Sequence, residues 1–371
     1  MKATVAEARS STERRLELDI AKGLAVLLMI CVHVQEMYSL PEVQHSAFGY
    51  AVELITTFPA APLFMFMMGV GLVYSRRQSA GYALKRGLLL LLAAYLLNAL
   101  RGFVPWTLGI QAGLVDSEAV PYGDVVLSLL EVDILHLAGL SLILVAGLRA
   151  VRAHWSVYPV IGVLLAALNY LVRGFSTGQP VADALVGLIW GTSETTYFPF
   201  LSWAFYPLAG VAFGTMLRRY RDTRRLYLWT LFAGAVTFLI TSAIGGFNLL
   251  YYMGITAPYA YYHLDLVGLA FHGSLMLVWL AGLYLLQSVF PAAVTNKLLF
   301  WSREVTPIYF IHWVLIGWFI LLVGFNQLSY WQSILAMALT VVAADRLATA
   351  YANWQQSRRA SKTLADPSGA S

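Results

Sequence analysis

Seven histidines occur in this chain, and four of them interrupt long apolar runs. These four are His33, His136, His272 and His312. An ionisable group inside a bilayer costs about 2.5 to 3.5 kcal/mol, so such groups usually mark a pathway or an active site. A structural histidine bonded to a neighbouring helix is the alternative for each one. Taken together, they favour a polar cavity that opens to one side of a helical bundle.

Acidic residues accompany two of these histidines. Asp133 precedes His136 by three residues, with Glu131 just before them. Residues three apart lie on one helical face, where a carboxylate can orient an imidazole. His263 and Asp265 stand at the expected outer mouth of the helix that contains His272. The spacing predicts carboxylate-assisted histidine chemistry in the outer half of the bundle.

Lys22 and His33 form a second informative pair. His33 follows Lys22 by eleven residues, which at about 100° per residue returns to within about 20° of the same helical face, roughly 16 Å along the axis. One face therefore presents a cation near one surface and a titratable base deeper in. This pattern suits a long substrate with an anionic head. The alternative is a lysine that only sets the orientation of the helix in the membrane, with an unrelated histidine at the same spacing.

These residues must be positioned by membrane-spanning helices. Of the 371 residues, 59% are hydrophobic and 12% are charged, which is more apolar surface than a soluble core of this length can hide. A span needs about 20 mostly apolar residues. The pattern predicts an all-α protein with about ten transmembrane helices, at 19–40, 48–74, 82–104, 124–149, 155–173, 198–217, 226–246, 263–289, 304–324 and 330–351.

The basic residues predict the orientation of this bundle. With the N-terminus in the cytoplasm, only Arg101 and Arg173 fall on the outer side, as the positive-inside rule requires. Both termini are therefore expected in the cytoplasm. We expect a cytoplasmic segment at 1–18, a transmembrane domain at 19–351 and a disordered tail at 352–371. Because the net charge of +5 comes from scattered clusters, nucleic-acid binding is not expected.

Several short motifs resemble those of known membrane enzymes. The best is residues 18–25 (LDIAKGLA) followed by Met29 and His33; residues 64–71 (FMFMMGVG) and the basic loop after them are similar. Looser matches are residues 133–136, 207–210 with Gly214, and 308–312. The chain resembles the transmembrane acyltransferases, both the acyltransferase-3 group and the heparan-α-glucosaminide N-acetyltransferase family. Lys22 departs from the pattern, because the family usually has arginine there.

The resemblance implies a function and a location. It implies transfer of an acyl group, most simply acetyl from cytosolic acetyl-CoA, to an extracytoplasmic glycan or amino sugar across a bacterial inner membrane, without a metal. The donor phosphates would bind basic residues at the cytoplasmic mouth. Those residues are Lys22, Arg76, Arg77, Lys85, Arg86, Arg218 and Arg219.

The catalytic histidine differs between the two branches of the resemblance. In the acyltransferase-3 branch it lies within the first helix and matches His33, whereas in the heparan branch it lies in the following loop, near His45. Either imidazole would act as a general base or take the acyl group itself. Asp133 and His136 would orient or relay. The substrate-binding candidates are Asn98 and Arg101, as oxyanion donors, with His263, Asp265, His272 and His312.

Two other classes of protein remain compatible with this pattern. A proton-coupled transporter or exporter would also place ionisable groups and prolines inside the bundle. The chain shows no internal repeat or paired broken helices, which disfavours that class. A membrane scaffold or sensor without chemistry is the third possibility, and the buried charge disfavours it.

Overall fold

A computed structural model describes residues 15–57, 60–191, 193–254 and 257–365. Within these ranges the chain is helical and has two isolated β-bridges but no β-strand, so the all-α prediction is confirmed. The principal helices are α1 (Leu16–Tyr38), α2 (Ala47–Thr57), α3 (Ala61–Tyr74), α4 (Ala80–Asn98), α5 (Val104–Gln111), α6 (Val125–Leu130), α7 (Ile134–Ala150), α8 (Val157–Val172), α9 (Phe205–Arg219), α10 (Thr223–Ile244), α11 (Leu266–Leu286), α12 (Ala292–Arg303), α13 (Val305–Val323) and α14 (Tyr330–Ala365).

Shorter helical segments connect them. Four-to-seven-residue helices lie at Pro41–Gln44, Pro180–Val186, Phe200–Trp203, Leu249–Tyr252 and Pro258–Tyr262, and 3₁₀ turns lie at Ser117–Ala119, Pro121–Gly123 and Gln287–Val289. A π-helical turn, Ala99–Phe103, joins α4 to α5.

Helix α1 lies at the centre of the bundle. It packs against α2, α3, α11, α12, α13 and α14. Its small and branched residues Ala21, Ala25 and Val26 are fully buried. Gly23 allows this packing, because a Cβ there would overlap the backbone of Leu298 in α12. Protein therefore surrounds α1, which explains how this helix carries charged residues near its start.

Seven helices in the described part of the chain are long and apolar enough to cross a membrane. They are Ala47–Tyr74, Ala80–Gln111, Phe200–Arg219, Thr223–Ile244, Leu266–Val289, Val305–Val323 and Tyr330–Arg359. Helices α7 and α8 are apolar but shorter, and α1 has 23 residues, among them Glu17, Asp19 and Lys22. The total of about ten spans and the cytoplasmic placement of both termini stay predictions.

The helix boundaries differ from the predicted ones in several places, among them the following three. The single helix predicted at 124–149 is two helices, α6 and α7, separated at Glu131–Asp133. The helix predicted at 82–104 continues to Gln111, because the π turn carries the chain past Pro105. Helix α14 runs beyond the predicted end at 351 to Ala365. Residues 1–14 and 366–371, within the two predicted terminal segments, lie outside the described residues.

A close approach of two backbones positions the π turn. Gly317 of α13 lies directly against the backbone of Arg101, where any Cβ would overlap the Arg101 carbonyl. Only glycine permits this distance between the two segments. The contact brings the side chains of α13 and the π turn to the same part of the bundle, beside α1.

Candidate active site

A cavity of about 480 Å³ lies among α1, α2, α3, the π turn and α13. We call it the chamber. Its wall combines apolar residues such as Met29 and Phe64 with many polar side chains. The polar and aromatic residues that line it include His33, Glu36, Glu53, Arg101, Tyr122, Glu131, Asp133, Tyr197, Tyr261, Tyr262, Tyr309 and Trp313. The central helix, the π turn and α13 thus supply titratable groups to one enclosed space.

His33 lines the chamber and contacts a second histidine behind it. Its Nδ1 is 2.9 Å from Nε2 of His312 in α13, and the two rings are nearly parallel, 8° apart. The Nδ1 of His312 is 2.9 Å from the carbonyl oxygen of Ile308, one turn earlier. The ring of Trp313 stacks on the His33 ring, with 4.2 Å between the ring centroids. His33 is therefore held by two neighbours from one helix.

A buried charge network forms the wall beside these rings. The guanidinium of Arg101 pairs with the carboxylate of Glu131 and, at 2.9 Å, with Oδ2 of Asp133. Tyr309 donates its hydroxyl hydrogen bond to Asp133 over 2.7 Å. The guanidinium also lies over Trp313, 4.2 Å from its ring centre. Arg101 thus pairs with two acidic residues in the wall, and its role as an oxyanion donor stays a prediction.

The break between α6 and α7 places Asp133 and His136 differently from the expectation of one helical face. Asp133 is the N-cap of α7, and its carboxylate accepts from the Ile134 amide. The Nδ1 of His136 accepts from the Asp133 backbone N–H over 3.1 Å. The Asp133 carboxylate therefore faces Arg101 and Tyr309, whereas His136 is buried against Tyr95 and lies outside the chamber lining.

A smaller cavity of about 190 Å³ adjoins the chamber. We call it the vestibule. It shares four lining residues with the chamber, namely Glu36, Glu53, Tyr261 and Tyr262. The others are Gln35, Gln44, His45, Tyr50, Met253 and Gly254. The two histidines that the sequence offered as alternatives, His33 and His45, therefore lie in adjoining cavities, with His45 exposed in the outer one.

Three further predicted substrate residues, His272, Asp265 and Asn98, have structural partners and do not line the chamber. The Nε2 of His272 is 2.7 Å from the carbonyl of Tyr252, and the ring is fully buried. Asp265 caps α11 by accepting from the Gly268 amide. Asn98 donates to the backbone carbonyls of Leu129 and Glu131, which hold the segment before Asp133.

His263 lies in the connection before α11. Its Nε2 is 2.8 Å from the carbonyl oxygen of Thr196. Burial lowers the pKa of His263 below its ordinary value. The geometry gives His263 a bonding partner within the protein, outside both cavities.

The predicted basic donor-binding residues lie away from the chamber. Apart from Arg101, no lysine or arginine in the described part of the chain lines either cavity. Arg76, Arg77, Lys85 and Arg86 are exposed near the end of α3 and the start of α4. Arg218 donates to the carbonyl of Val73, and Arg219 lies over Trp155. Lys22 lies near the start of α1, partly buried. The cations thus cluster at the helix ends away from His33.

Several chamber residues went unrecognised in the sequence. Glu36 follows His33 by three residues on the same face of α1, a spacing that could have identified it. Glu53 is an isolated acid in the apolar helix α2, which is also a usable signal. Tyr122 and Tyr197 hydrogen-bond to each other over 2.8 Å, yet both come from irregular segments. No local sequence pattern predicts the contact between these two tyrosines.

The fold and this site define an integral membrane protein of apolar helices with a buried, titratable chamber. A family comparison then identifies the group. The family model for the catalytic domain of heparan-alpha-glucosaminide N-acetyltransferase matches residues 14–258, and the chain belongs to this family. A search of curated proteins finds no match. The matched region contains His33 and His45 but ends before α13, which contributes Tyr309, His312 and Trp313.

Proposed function

We propose that this protein transfers an acetyl group from cytosolic acetyl-CoA to an amino sugar on the opposite side of the membrane. The family implies acetyltransferase activity in general. The observation that carries the proposal is His33, a base that lines a buried chamber and is held by His312 and Trp313. A positioned imidazole of this kind typically contributes a factor of about 10² to 10⁴ as a general base.

The donor approaches His33 from the end of the bundle with the cationic helix termini. Lys22 is separated from His33 by about 16 Å along α1, a distance that the pantetheine arm of coenzyme A spans. The positive-inside rule places the basic ends in the cytoplasm. The phosphates would bind exposed cations there, among them Arg76 and Arg77, while the thioester reaches the chamber. Lys22 would serve as a point charge, because an ammonium lacks the planar fork of arginine.

The acceptor enters through the vestibule, and the polar atoms there favour an amine. Gln35 donates its amide to the Gly49 carbonyl, and its Oε1 is buried without a hydrogen-bond partner in the described part of the protein. Tyr261 donates to the carbonyl of Thr57. Glu36 and Glu53 add two carboxylates. Gln35 and Tyr261 thus use their donors within the protein, while the lining keeps carboxylate and amide acceptors, which favours a ligand rich in N–H groups.

His45 fits the same description. Its Nδ1 lies 2.8 Å from the carbonyl of Pro41, so a neutral ring presents a lone pair on Nε2. The exposed position in the vestibule suits contact with the arriving acceptor. His33, half-buried in the larger chamber, is better placed for the chemical step, which gains from exclusion of water. We therefore assign general-base catalysis to His33 and acceptor contact to His45, which departs from the position near His45 that resemblance to the heparan branch implies.

In the proposed reaction, every bond change and proton transfer takes place in the chamber. The neutral amine nitrogen of the acceptor attacks the thioester carbon, and His33 takes one proton from that nitrogen as the carbon–nitrogen bond forms and the carbon–sulfur bond breaks. The departing thiolate receives the proton from His33, which gives the acetamide and free coenzyme A. Tyr309 and Arg101 hold the Asp133 carboxylate in the wall and thus keep the chamber in one arrangement.

Acetyl transfer in sealed vesicles tests this proposal. Labelled acetyl-CoA is enclosed with the reconstituted protein, and glucosamine is supplied outside. We expect labelled N-acetylglucosamine outside with the wild-type protein and at least a hundredfold less with His33→Ala. His154→Ala is the matched control, because His154 is an exposed loop residue bonded to Ser156.

Three results would contradict the proposal. Wild-type protein that neither binds nor consumes acetyl-CoA rules out the enzyme. Movement of unmodified glucosamine across the membrane would instead identify a transporter, the class that the buried charge network also suits. Full activity in His33→Ala combined with loss in His45→Ala would transfer the catalytic role to the vestibule.

A further inference from the structure

The hydrogen bonds around His33 continue through His312 to the backbone of α13. Nδ1 of His312 lies 2.9 Å from the carbonyl oxygen of Ile308. A carbonyl oxygen can only accept, so Nδ1 of His312 carries the proton and donates it. In a neutral His312 ring, Nε2 therefore has the lone pair. Because His33 Nδ1 faces that Nε2 at 2.9 Å, His33 must donate.

These hydrogen bonds determine which ring nitrogen of His33 carries the proton. With its proton on Nδ1, a neutral His33 keeps its lone pair on Nε2, the ring nitrogen that does not face His312. The reverse arrangement would put two lone pairs together at the Ile308 carbonyl. A charged His312 would be a fully buried cation, which is costly without a carboxylate hydrogen bond. The neutral Nδ1–H form of both rings satisfies every contact.

We infer that His312 is a positioning residue that selects the reactive tautomer of His33 and stabilises its protonated form. This inference rests on the proposed acetyl transfer. Since His312 is fully buried and outside the chamber lining, it acts through His33 and touches no substrate. This differs from the substrate-binding role that the sequence suggested for it.

The protons of His33 return to their starting positions at the end of the reaction. Before transfer, Nε2 of His33 is unprotonated and can accept the proton of the attacking amine. After that step His33 carries protons on both nitrogens, and the Nδ1–H bond to the His312 lone pair strengthens because the donor is now charged. The proton on Nε2 then passes to the thiolate of coenzyme A. His312 remains neutral throughout, and no further reactant is needed.

Two substitutions separate positioning from packing. His312→Leu removes the acceptor, and we expect kcat to fall about a hundredfold, with KM values for acetyl-CoA and glucosamine within about threefold of wild type. His312→Gln keeps an acceptor near the position of Nε2, and we expect kcat within about tenfold of wild type. Asn169→Leu is the control, because Asn169 is a buried polar residue of α8 that lines neither cavity.

The tautomer of His33 can be measured in the resting protein, without turnover. Nitrogen-15 spectra of histidine-labelled resting protein, with signals assigned through His33→Asn and His312→Gln, should show Nδ1–H and unprotonated Nε2 for both residues. This measurement uses no acetyl-CoA, so it stands even if the proposed reaction fails.

The inference is overturned by either of two results. One is a His33 signal with the proton on Nε2. The other is a His312→Leu variant that keeps wild-type kcat, or one in which only the KM values change. If wild-type protein transfers acetyl groups normally in these cases, the proposed function survives and the role of His312 alone is lost.

Discussion

The chamber and the vestibule share a wall but differ in whether a cation pairs with their carboxylates. In the chamber Arg101 is paired with Glu131 and Asp133, and His33 with His312. In the vestibule Oε1 of Gln35 lacks a partner among the described residues, and the lining includes carboxylates but neither lysine nor arginine. Paired charges hold one geometry, as chemistry requires. Carboxylates whose surroundings include no cation gain from a ligand that supplies N–H donors. This difference supports the proposal that the reaction takes place in the chamber and that the acceptor binds in the vestibule.

The strongest test of this comparison removes the cation of the chamber. Arg101→Leu leaves Glu131 and Asp133 as buried, uncompensated carboxylates, and we expect a loss of about 3 to 5 kcal/mol in the free energy of unfolding. Thermal unfolding in detergent measures it, with Arg173→Leu as the control, because Arg173 lies partly exposed at the end of α8, without a carboxylate pair in the described part of the chain. An unchanged melting temperature would mean that the chamber does not depend on its internal charge pairing.

A single hydrogen bond of the chamber should have a smaller effect. Tyr309→Phe removes the 2.7 Å bond to Asp133, and bonds to charged groups are worth about 1.5 to 3 kcal/mol. We expect a stability loss in that range, measured by denaturant unfolding. Tyr330→Phe, at the exposed start of α14, is the matched control. Equal stability of the two variants would show that Asp133 is adequately held by Arg101 alone.

The vestibule should respond in binding rather than in stability. Glu53→Gln removes one of the two shared carboxylates, and we expect KM for glucosamine to rise about tenfold, or about 1.4 kcal/mol, with kcat nearly unchanged. Glu42→Gln serves as control because Glu42 is exposed nearby but lines neither cavity. A fall in kcat without a change in KM would give Glu53 a role in the chemical step instead of in acceptor binding.

The smallest effect is expected at the shared wall. Tyr262 donates to Glu36 over 3.4 Å, a long and therefore weak hydrogen bond. Tyr262→Phe should change KM and kcat by less than about twofold in the same transfer assay. A larger change would show that this hydroxyl contacts the acceptor, and that recognition extends from the vestibule to the chamber wall.

Local patterns predicted the helices well and their junctions less well. The apolar runs identified α1, α3 and α13, and the ionisable residues inside them included His33 and His312. The spacing of Asp133 and His136 suggested one helical face, but a break before Ile134 turned Asp133 toward Arg101. Periodicity cannot reveal such a break, because the gain from pairing a buried carboxylate with Arg101 is a tertiary effect.

The amino-acid sequence by itself determined that this is a helical membrane protein, because apolar length and the scarcity of charge depend on composition alone. It also pointed to His33 as an unusual group in an apolar helix. The tertiary structure decided which groups meet it: His312 lies 279 positions away in the chain, and Gly317 brings α13 against the backbone of Arg101. The tautomer of an imidazole depends on the hydrogen bonds around it, and those partners meet only when distant helices pack.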